Sequence, residues 1–486
     1  MAAPATLSEA DGTTYDVIVL GMGPVGENVV DRVVQAGLSC AAIEADLAGG
    51  ECSYWACIPS KALLKPLDLA AAASRLPGVK AEGVDVTEIL KRRDYFVGRT
   101  EDGGHSDGSQ ADWLAGIATF LRGWGRLAGE KTVEVTGADG ATARLTARHA
   151  VVVSTGSTAT VPDLPGLRDA KPWGSREVTN LESVPARTVV LGGGVVAAES
   201  ATALAGLGSE VTILSRSELL AGREPWAGEL VADSLRAKGV TVHVGAQISK
   251  VERAGDGTVT ATFDVGNGEQ TVTADEVVAA LGRRPNSADI GLDTVGLEPG
   301  KAVEVDDTLR STTHDWLYAT GDVNGRAQLT HQGKYQARIC GDVIGARAKG
   351  ESEDTIASSS KYRAYADHRM VPQVVFTDPQ VTAVGLTEAQ AREQGFDVRV
   401  VEYDISSVAG ASLEADGYTG KANLVVDEAR RVVIGATFVG QDVEEMVHSA
   451  TIAVVGEVPM ETLWHAVPSF PTKSEVWLRL LETYGL

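Results

Sequence analysis

Cysteine is scarce: Cys40, Cys52, Cys57 and Cys340 are the only four in 486 residues. So few exclude the disulfide framework of a small secreted domain, and they leave one close pair, Cys52 and Cys57, as a redox-active or metal-binding candidate. Basic residues are outnumbered, 43 Lys and Arg against 66 Asp and Glu, for a formal charge of −23. Such a surface repels phosphate backbones and anionic headgroups, so neither nucleic acid nor a membrane is an expected partner. Long apolar runs are missing too. None approaches the ~18 residues of a membrane span, and Met1 to Thr14 lacks the basic-then-apolar build of a signal peptide, so a cytoplasmic location is expected.

What is present is ordinary globular composition, 44% apolar and 22% charged. The length predicts two to four domains of about 100–200 residues each. Two segments repeat one pattern of apolar run, glycines and helix-like stretch: Tyr15 to Gly26 and Thr188 to Ala197. Each reads as a buried parallel strand, a tight turn and a helix N-terminus, the opening of a dinucleotide-binding βαβ unit. In the first, Gly21, Gly23 and Gly26 permit the turn and let a pyrophosphate reach backbone N–H groups, and Glu44 closes the next apolar run, where an acid accepts hydrogen bonds from a ribose. In the second, Gly192, Gly194 and Ala197 take the same places. No acid occupies the ribose position there; Ser215 is followed by Arg216, with Arg223 beyond, and guanidinium groups match a 2′-phosphate in charge and geometry. NADP is therefore expected over NAD, which remains the alternative.

Between the two units lies Cys52-Ser-Tyr-Trp-Ala-Cys57-Ile-Pro59-Ser-Lys61. Five residues of regular helix rise ~7.5 Å, beyond the ~7 Å Cα separation that a disulfide bridges. Pairing the cysteines thus needs a distorted turn, to which Pro59 contributes by leaving the Trp55 carbonyl without a helical donor. Metal binding is the other use of such a pair, but no Cys or His follows at zinc spacing.

Beyond about residue 365 the glycine pattern stops. Val371–Gly385, Val398–Tyr403, Gly420–Asp427 and Val432–Val439 read as strands, and Glu388–Gln394 and Val443–Val455 as helices. Gly350–Ser360 reads as a linker and Asp102–Ser109 as an exposed loop.

The Cys-x4-Cys-x-Pro-Ser-Lys stretch after a first fingerprint resembles the class I pyridine nucleotide-disulfide oxidoreductases, among them glutathione reductase, dihydrolipoyl dehydrogenase and mercuric reductase. The likeness extends to Val151 through Thr155, Gly156 and Ser157, to Leu281-Gly282-Arg-Arg-Pro-Asn286, to Leu317-Tyr-Ala-Thr-Gly321-Asp322, and to Met370 through Pro379. It implies an α/β fold with two Rossmann-like dinucleotide-binding domains plus a C-terminal α+β dimerisation domain. The FAD-binding domain would span 1–165 and 287–360, the NAD(P)-binding domain 166–286 and the interface domain 365–486, in a homodimer. It also implies roles. Cys57 would be the flavin-facing thiol, Cys52 the interchange thiol that meets the acceptor, Lys61 the lysine near the flavin and Glu199 its ion-pair partner. Thr155, Gly156, Gly321 and Asp322 would serve FAD, with Asp322 on the ribityl chain, and Gly282 would serve NADP.

Departures from the family pattern are informative. Disulfide-reducing members carry His-Pro-Thr-x-x-Glu, whose His moves a proton at the interchange thiol of the other subunit and whose Glu orients it; here the stretch is Phe470-Pro-Thr-Lys-Ser-Glu475. An aromatic ring moves no proton, and such help is typically worth ~10²–10⁴ in rate. His465, five residues earlier, could substitute, but a lone His near a domain face is more often structural. Val195 stands where a Tyr often lids the nicotinamide pocket, and Tyr54 and Trp55 add bulk between the cysteines. Members without the His, mercuric reductase included, keep the electron path, but the chain ends Glu482-Thr-Tyr-Gly-Leu486 without the cysteine pair that delivers mercury there. The expectation is an NADPH-preferring flavoenzyme that passes electrons through FAD to Cys52–Cys57 and on to a small-molecule acceptor: a quinone, metal ion, dioxygen or unusual disulfide. The rivals are a dihydrolipoyl dehydrogenase with a displaced base and a redox-sensing flavoprotein without turnover.

Overall fold

Val17, Ile18, Val19 and Leu20 are all buried, as in a strand covered on both faces of its sheet. Their strand, Thr14–Leu20, lies in a seven-stranded sheet between Cys40–Glu44 and Thr142–Val153 and is parallel to both. Thr119–Arg122 extends the sheet on one side, and Leu317–Ala319 pairs in parallel with the end of Thr142–Val153. The computed structural model describes residues 4–486. Contacts divide it into two units, the first made of residues 4–59, Asp94–Ala159 and Arg283–His368.

In that first unit the helix Pro24–Gln35 packs on the helix Thr330–Ala348. Glycine makes the approach close: a Cβ on Gly333 would come within 2.5 Å of Val25 Cγ2, and one on Gly341 within 2.5 Å of Arg32 Cβ. This crossing brings residues three hundred positions apart to the start of both helices.

The second unit comprises Ser60–Arg93, Thr160–Gly282 and Arg369–Leu486. Its first part builds a four-stranded parallel sheet in the order Thr241–Val244, Glu210–Ser215, Arg187–Leu191, Glu276–Ala279. A three-stranded antiparallel sheet over Gln247–Ala274 accompanies it. Its last part is a five-stranded antiparallel sheet with the helices Met446–Val455 and Glu475–Tyr484. The fold is thus mixed α/β with two nucleotide-type sheets, one all parallel and one parallel except for its last two strands, Trp124–Leu127 and Thr132–Thr136, which run antiparallel, and a C-terminal α+β part.

Three segment readings need correction. The continuous strand expected over Val371–Gly385 is two strands, Gln373–Val375 and Gln380–Gly385. The break holds Asp378, whose buried carboxylate meets Arg75 at 2.8 Å and Lys238 at 2.6 Å. The helix expected from Val443 starts at Met446, because the Gln380 side chain takes the amides of Val443 and Glu444 at 2.9 and 3.0 Å. The supposed linker contains a short helix, Glu353–Ser358, capped by the Ser352 hydroxyl. The stretch Asp102–Ser109 is a largely exposed loop as expected, up to the helix that starts at Gly108, and it is anchored: the Asp107 carboxylate accepts from the Ala48 amide at 2.8 Å, and His105 packs against Tyr54 and Trp55.

Candidate active site

Cys52 sits on a short helix, Gly50–Tyr54, and Cys57 opens the next one, Cys57–Ser74. The helical path breaks at Trp55, whose φ of −136° and ψ of 3° are not helical. Pro59 falls in the first turn of the second helix, where its missing N–H costs nothing. The distortion that a bridge requires is therefore built in, and the sulfurs reach hydrogen-bonding contact as free thiols. The Cys57 sulfur also lies 3.3 Å from the Thr330 hydroxyl, at the start of the helix that packs on Pro24–Gln35.

The Cys52 thiol is pushed up, first by its hydrogen bond with Cys57, then by burial and the negative field of that neighbour; the Thr330 hydroxyl and the Lys334 ammonium act the other way. Tyr54 and Trp55 do not intrude between the sulfurs as bulk alone. The Tyr54 hydroxyl is anchored on the Ala48 carbonyl at 3.0 Å, and the two rings and His105 form a cluster with centroids 5.6–5.7 Å apart. Sequence reasoning missed His105, Thr330 and Lys334, which carry no local motif. It also missed Glu27, for which a signal existed: a carboxylate directly after Gly26, at the first turn of a helix meant for a pyrophosphate.

The first fingerprint fits FAD. A Cβ on Gly21 would sit 2.6 Å from the Ser154 carbonyl oxygen, and one on Gly26 would collide with the Gly21 carbonyl, whereas one on Gly23 would meet nothing nearer than 3.9 Å. Gly21 and Gly26 serve the turn, and Gly23 leaves the helix N-terminus open to an anion. The Glu44 oxygens accept the Met22 and Asp46 amides at 2.6 and 2.8 Å, with lone pairs left for ribose hydroxyls. Asp322 accepts the Ser157 hydroxyl at 2.5 Å, and that hydroxyl accepts from Arg283 at 2.7 Å. Thr155 and Gly156 bond to Asn286 at 2.6–3.0 Å, and Gly321 turns with φ 75° while donating its amide to Gln336.

The second unit repeats this logic. Gly192, at φ 118°, lies against the Ala280 carbonyl, Ala197 is fully buried, and Gly194 faces open space. The Leu220 amide donates to the Gly193 carbonyl at 2.7 Å, folding the Arg216–Arg223 loop back onto the glycine turn. Burial lowers the proton affinity of Arg223, while Arg216 is exposed. Gly282, at φ 110°, accepts the Thr160 amide at 2.9 Å. Val195 is half-buried at the start of the helix Val195–Gly206. Also in this unit, Lys61 Nζ meets Glu199 Oε2 at 2.7 Å, the other Glu199 oxygen accepts the Phe376 amide at 3.0 Å, and the Lys61 ammonium lies 4.6 Å from the Phe376 ring centre. Cys57 and Lys61 are one turn apart on a single helix.

The C-terminal motif is laid out differently from a working His–Glu pair. Phe470 is 75% exposed, and His465 is exposed as well. Glu475 is buried, with one oxygen 2.6 Å from Arg479 one turn on and the other, Oε2, without a hydrogen-bond partner. Among the described residues no three His, Cys, Asp or Glu side chains form a metal-binding group, and no helix is long and apolar enough to cross a membrane.

Comparison with known proteins adds to this geometry. Residues 15–337 match the family described as pyridine nucleotide-disulphide oxidoreductase, and residues 371–480 match the dimerisation domain of the same family. A mercuric reductase from Staphylococcus aureus is 29% identical over 470 residues, which cover 95% of this chain and 81% of that protein. A dihydrolipoyl dehydrogenase from Bacillus subtilis is 30% identical over 478 residues, 96% of each. Among solved structures, the Cu(II) complex of the HOCl-induced flavoprotein disulfide reductase RclA from Escherichia coli superposes with a TM-score of 0.80 at 23% identity, covering 96% of this chain and 99% of that one.

Proposed function

Because the chain belongs to the pyridine nucleotide-disulphide oxidoreductase family, we propose that it draws electrons from NADPH into the Cys52–Cys57 pair and delivers them to an acceptor that needs no proton from a histidine of a second subunit. Family membership makes it an FAD-dependent oxidoreductase that uses a pyridine nucleotide. When bound, FAD supplies the hydride-accepting centre between nicotinamide and disulfide. The observation that carries the reading is the dithiol: two thiols in hydrogen-bonding contact across a helix break, next to Thr330. The acceptor class follows from Phe470, since quinones, metal ions and dioxygen take electrons without a protein base acting on a leaving thiol. An unusual disulfide fits as well. A second reading, dihydrolipoyl dehydrogenase activity with a displaced base, is favoured by the retained Glu475 and by the full-length similarity to such enzymes. An acceptor screen with NADPH and NADH on the purified yellow protein decides. Sustained NADPH oxidation with quinones or metal ions and slow turnover of lipoamide or glutathione disulfide is the expected result, whereas no turnover with any acceptor would leave only a sensing role.

NADPH preference is assigned to Arg216 and Arg223. Replacing Arg216 by alanine removes a charge-assisted contact worth ~1.5–3 kcal/mol, so KM for NADPH should rise about tenfold or more while NADH kinetics stay put. Equal losses for both nucleotides would contradict the assignment. The match to the dimerisation domain over residues 371–480 leads us to expect a homodimer. Sedimentation should give about twice the 50.7 kDa chain mass, and a fully active monomer would refute it.

A further inference from the structure

Two buried donors at the ends of one turn share a single acceptor. The turn is the short 3-10 helix Gly321–Asn324, which carries Asp322 as its second residue. Gln336 Oε1 takes the Gly321 amide at 2.8 Å and Asn324 Nδ2 at 2.8 Å, and Asn324 Nδ2 also donates to the Ala319 carbonyl at 3.1 Å. At its other end the same side chain donates from Nε2 to Asp367 Oδ2 at 2.9 Å. Gln332, one turn earlier on the helix Thr330–Ala348, donates to Asp367 Oδ1 at 2.6 Å. Arg326 Nη1 lies 3.5 Å from Asp367 Oδ2. Gln336, Gln332, Asn324 and Asp367 are all buried, and all belong to the first unit.

The polarity of this chain of bonds is fixed at both ends. A backbone N–H only donates, so the Gln336 atom facing Gly321 is the carbonyl oxygen; an ionised carboxylate only accepts, so the atom facing Asp367 is the amide nitrogen. A glutamine amide fills the same space in either of two flipped orientations, and here the carboxylate chooses between them. Asparagine at 367 would remove the choice. Its own NH2 set against Gln336 would favour the flipped amide, whose NH2 would then confront the Gly321 N–H, two buried donors with no acceptor. Burying a carboxylate is costly, and burial does push the Asp367 carboxyl up, opposed by Gln332, Arg326 and Gln336. A neutral polar residue would be easier to bury, but it would not set the direction.

We infer that Asp367 is a positioning residue for FAD: acting through Gln336, its carboxylate fixes the amide orientation that holds Gly321 and Asn324, and with them the turn from which Asp322 meets the ribityl chain. This rests on the reading of Asp322 as the ribityl ligand. The relay's partners are distinct from those of Glu44, whose oxygens take the Met22 and Asp46 amides at the other end of the FAD site. Its influence therefore falls on the flavin end of the cofactor.

The test compares FAD with ADP, which shares the adenine, ribose and pyrophosphate but lacks the ribityl chain and the ring. Apoprotein of the full chain is titrated with FAD by quenching of flavin fluorescence and with ADP by calorimetry. In Asp367→Asn and in Gln336→Met the dissociation constant for FAD should rise about tenfold or more, the size of one hydrogen bond lost beside a buried charge, while that for ADP stays within about twofold. Because Asp367 acts through Gln336, Asp367→Asn should add no further loss in the Gln336→Met background. Gln332→Met removes the other donor to Asp367 without touching Gly321 and should leave FAD affinity close to wild type. Equal losses for FAD and ADP, additive losses in the double variant, or a loss in Gln332→Met as large as in Asp367→Asn would overturn the proposal, since each points to general loosening of the fold. Asp322→Ala separates the relay from the reading beneath it. Selective FAD loss there with none in Asp367→Asn overturns the relay alone, whereas wild-type FAD affinity in both overturns the ribityl assignment with it. If Asp367→Asn does not fold, Gln336→Met decides by the same comparison with ADP.

Discussion

Cys57→Ser is expected to give a folded yellow protein that NADPH still bleaches but that has lost ~10³-fold or more of its turnover with any acceptor served by the dithiol. A serine hydroxyl forms no reversible bond to sulfur, so the two-electron couple between Cys52 and Cys57 disappears with either partner. Cys52→Ser should therefore cost about as much, and the double variant no more, because residues that act as a unit are not additive. Quinones that take electrons from the flavin directly should be spared. The stability cost should be small: both thiols are only half-buried and Cys57 keeps the Thr330 hydroxyl as a neighbour at 3.3 Å, which serine can retain. Turnover of both variants with a disulfide or metal-ion acceptor, set beside quinone turnover, checks this. Equal loss with every acceptor would mean that the cysteines support the flavin site rather than carry electrons.

The second large effect is a gain. Phe470→His puts an imidazole where disulfide-reducing relatives hold one, on a segment that is exposed in the single chain and free to meet a second subunit. Glu475 is ready for it in one respect, since its buried Oε2 has no partner. It is compromised in another: Arg479 at 2.6 Å already neutralises the carboxylate, which weakens its pull on an imidazolium. Full recovery of the ~10²–10⁴ that acid–base help provides is thus not expected, but a rise of about tenfold in lipoamide or glutathione turnover is. Quinone turnover should not change. If the wild-type protein already turns over dihydrolipoamide at a rate ordinary for such enzymes, the missing base is elsewhere and the account of Phe470 fails.

Both effects rest on residues that the sequence displays openly. The glycine turns at Gly21 and Gly192 are legible because only a few residue types tolerate their backbone and the close carbonyls of Ser154 and Ala280. The cysteine pair is legible because its spacing is too long for a regular helix, and the structure meets that geometric demand at Trp55. What stayed hidden came from long-range packing. Thr330 follows no motif, yet it reaches the Cys57 sulfur at 3.3 Å from a helix that glycine at 333 lets pack closely on Pro24–Gln35. His105 reads as part of a polar loop until its ring is seen against Tyr54 and Trp55. The strand break at Asp378 has the same origin, a carboxylate drawn to Arg75 and Lys238 from two other elements. Local pattern reports what a segment prefers, and these are places where distant partners decide.

Nicotinamide electrons are expected to reach Cys52 and Cys57. Counting thiols tests it most directly: the oxidised holoenzyme is treated anaerobically with NADPH, alkylated, and its peptides compared with those of protein alkylated before reduction. Cys40 and Cys340 are buried, and burial raises their thiol pKa, so they should stay unlabelled throughout. NADPH should expose one new pair of reactive thiols per chain, mapping to Cys52 and Cys57. Bleaching of the flavin by NADPH with no new label at either cysteine would contradict it.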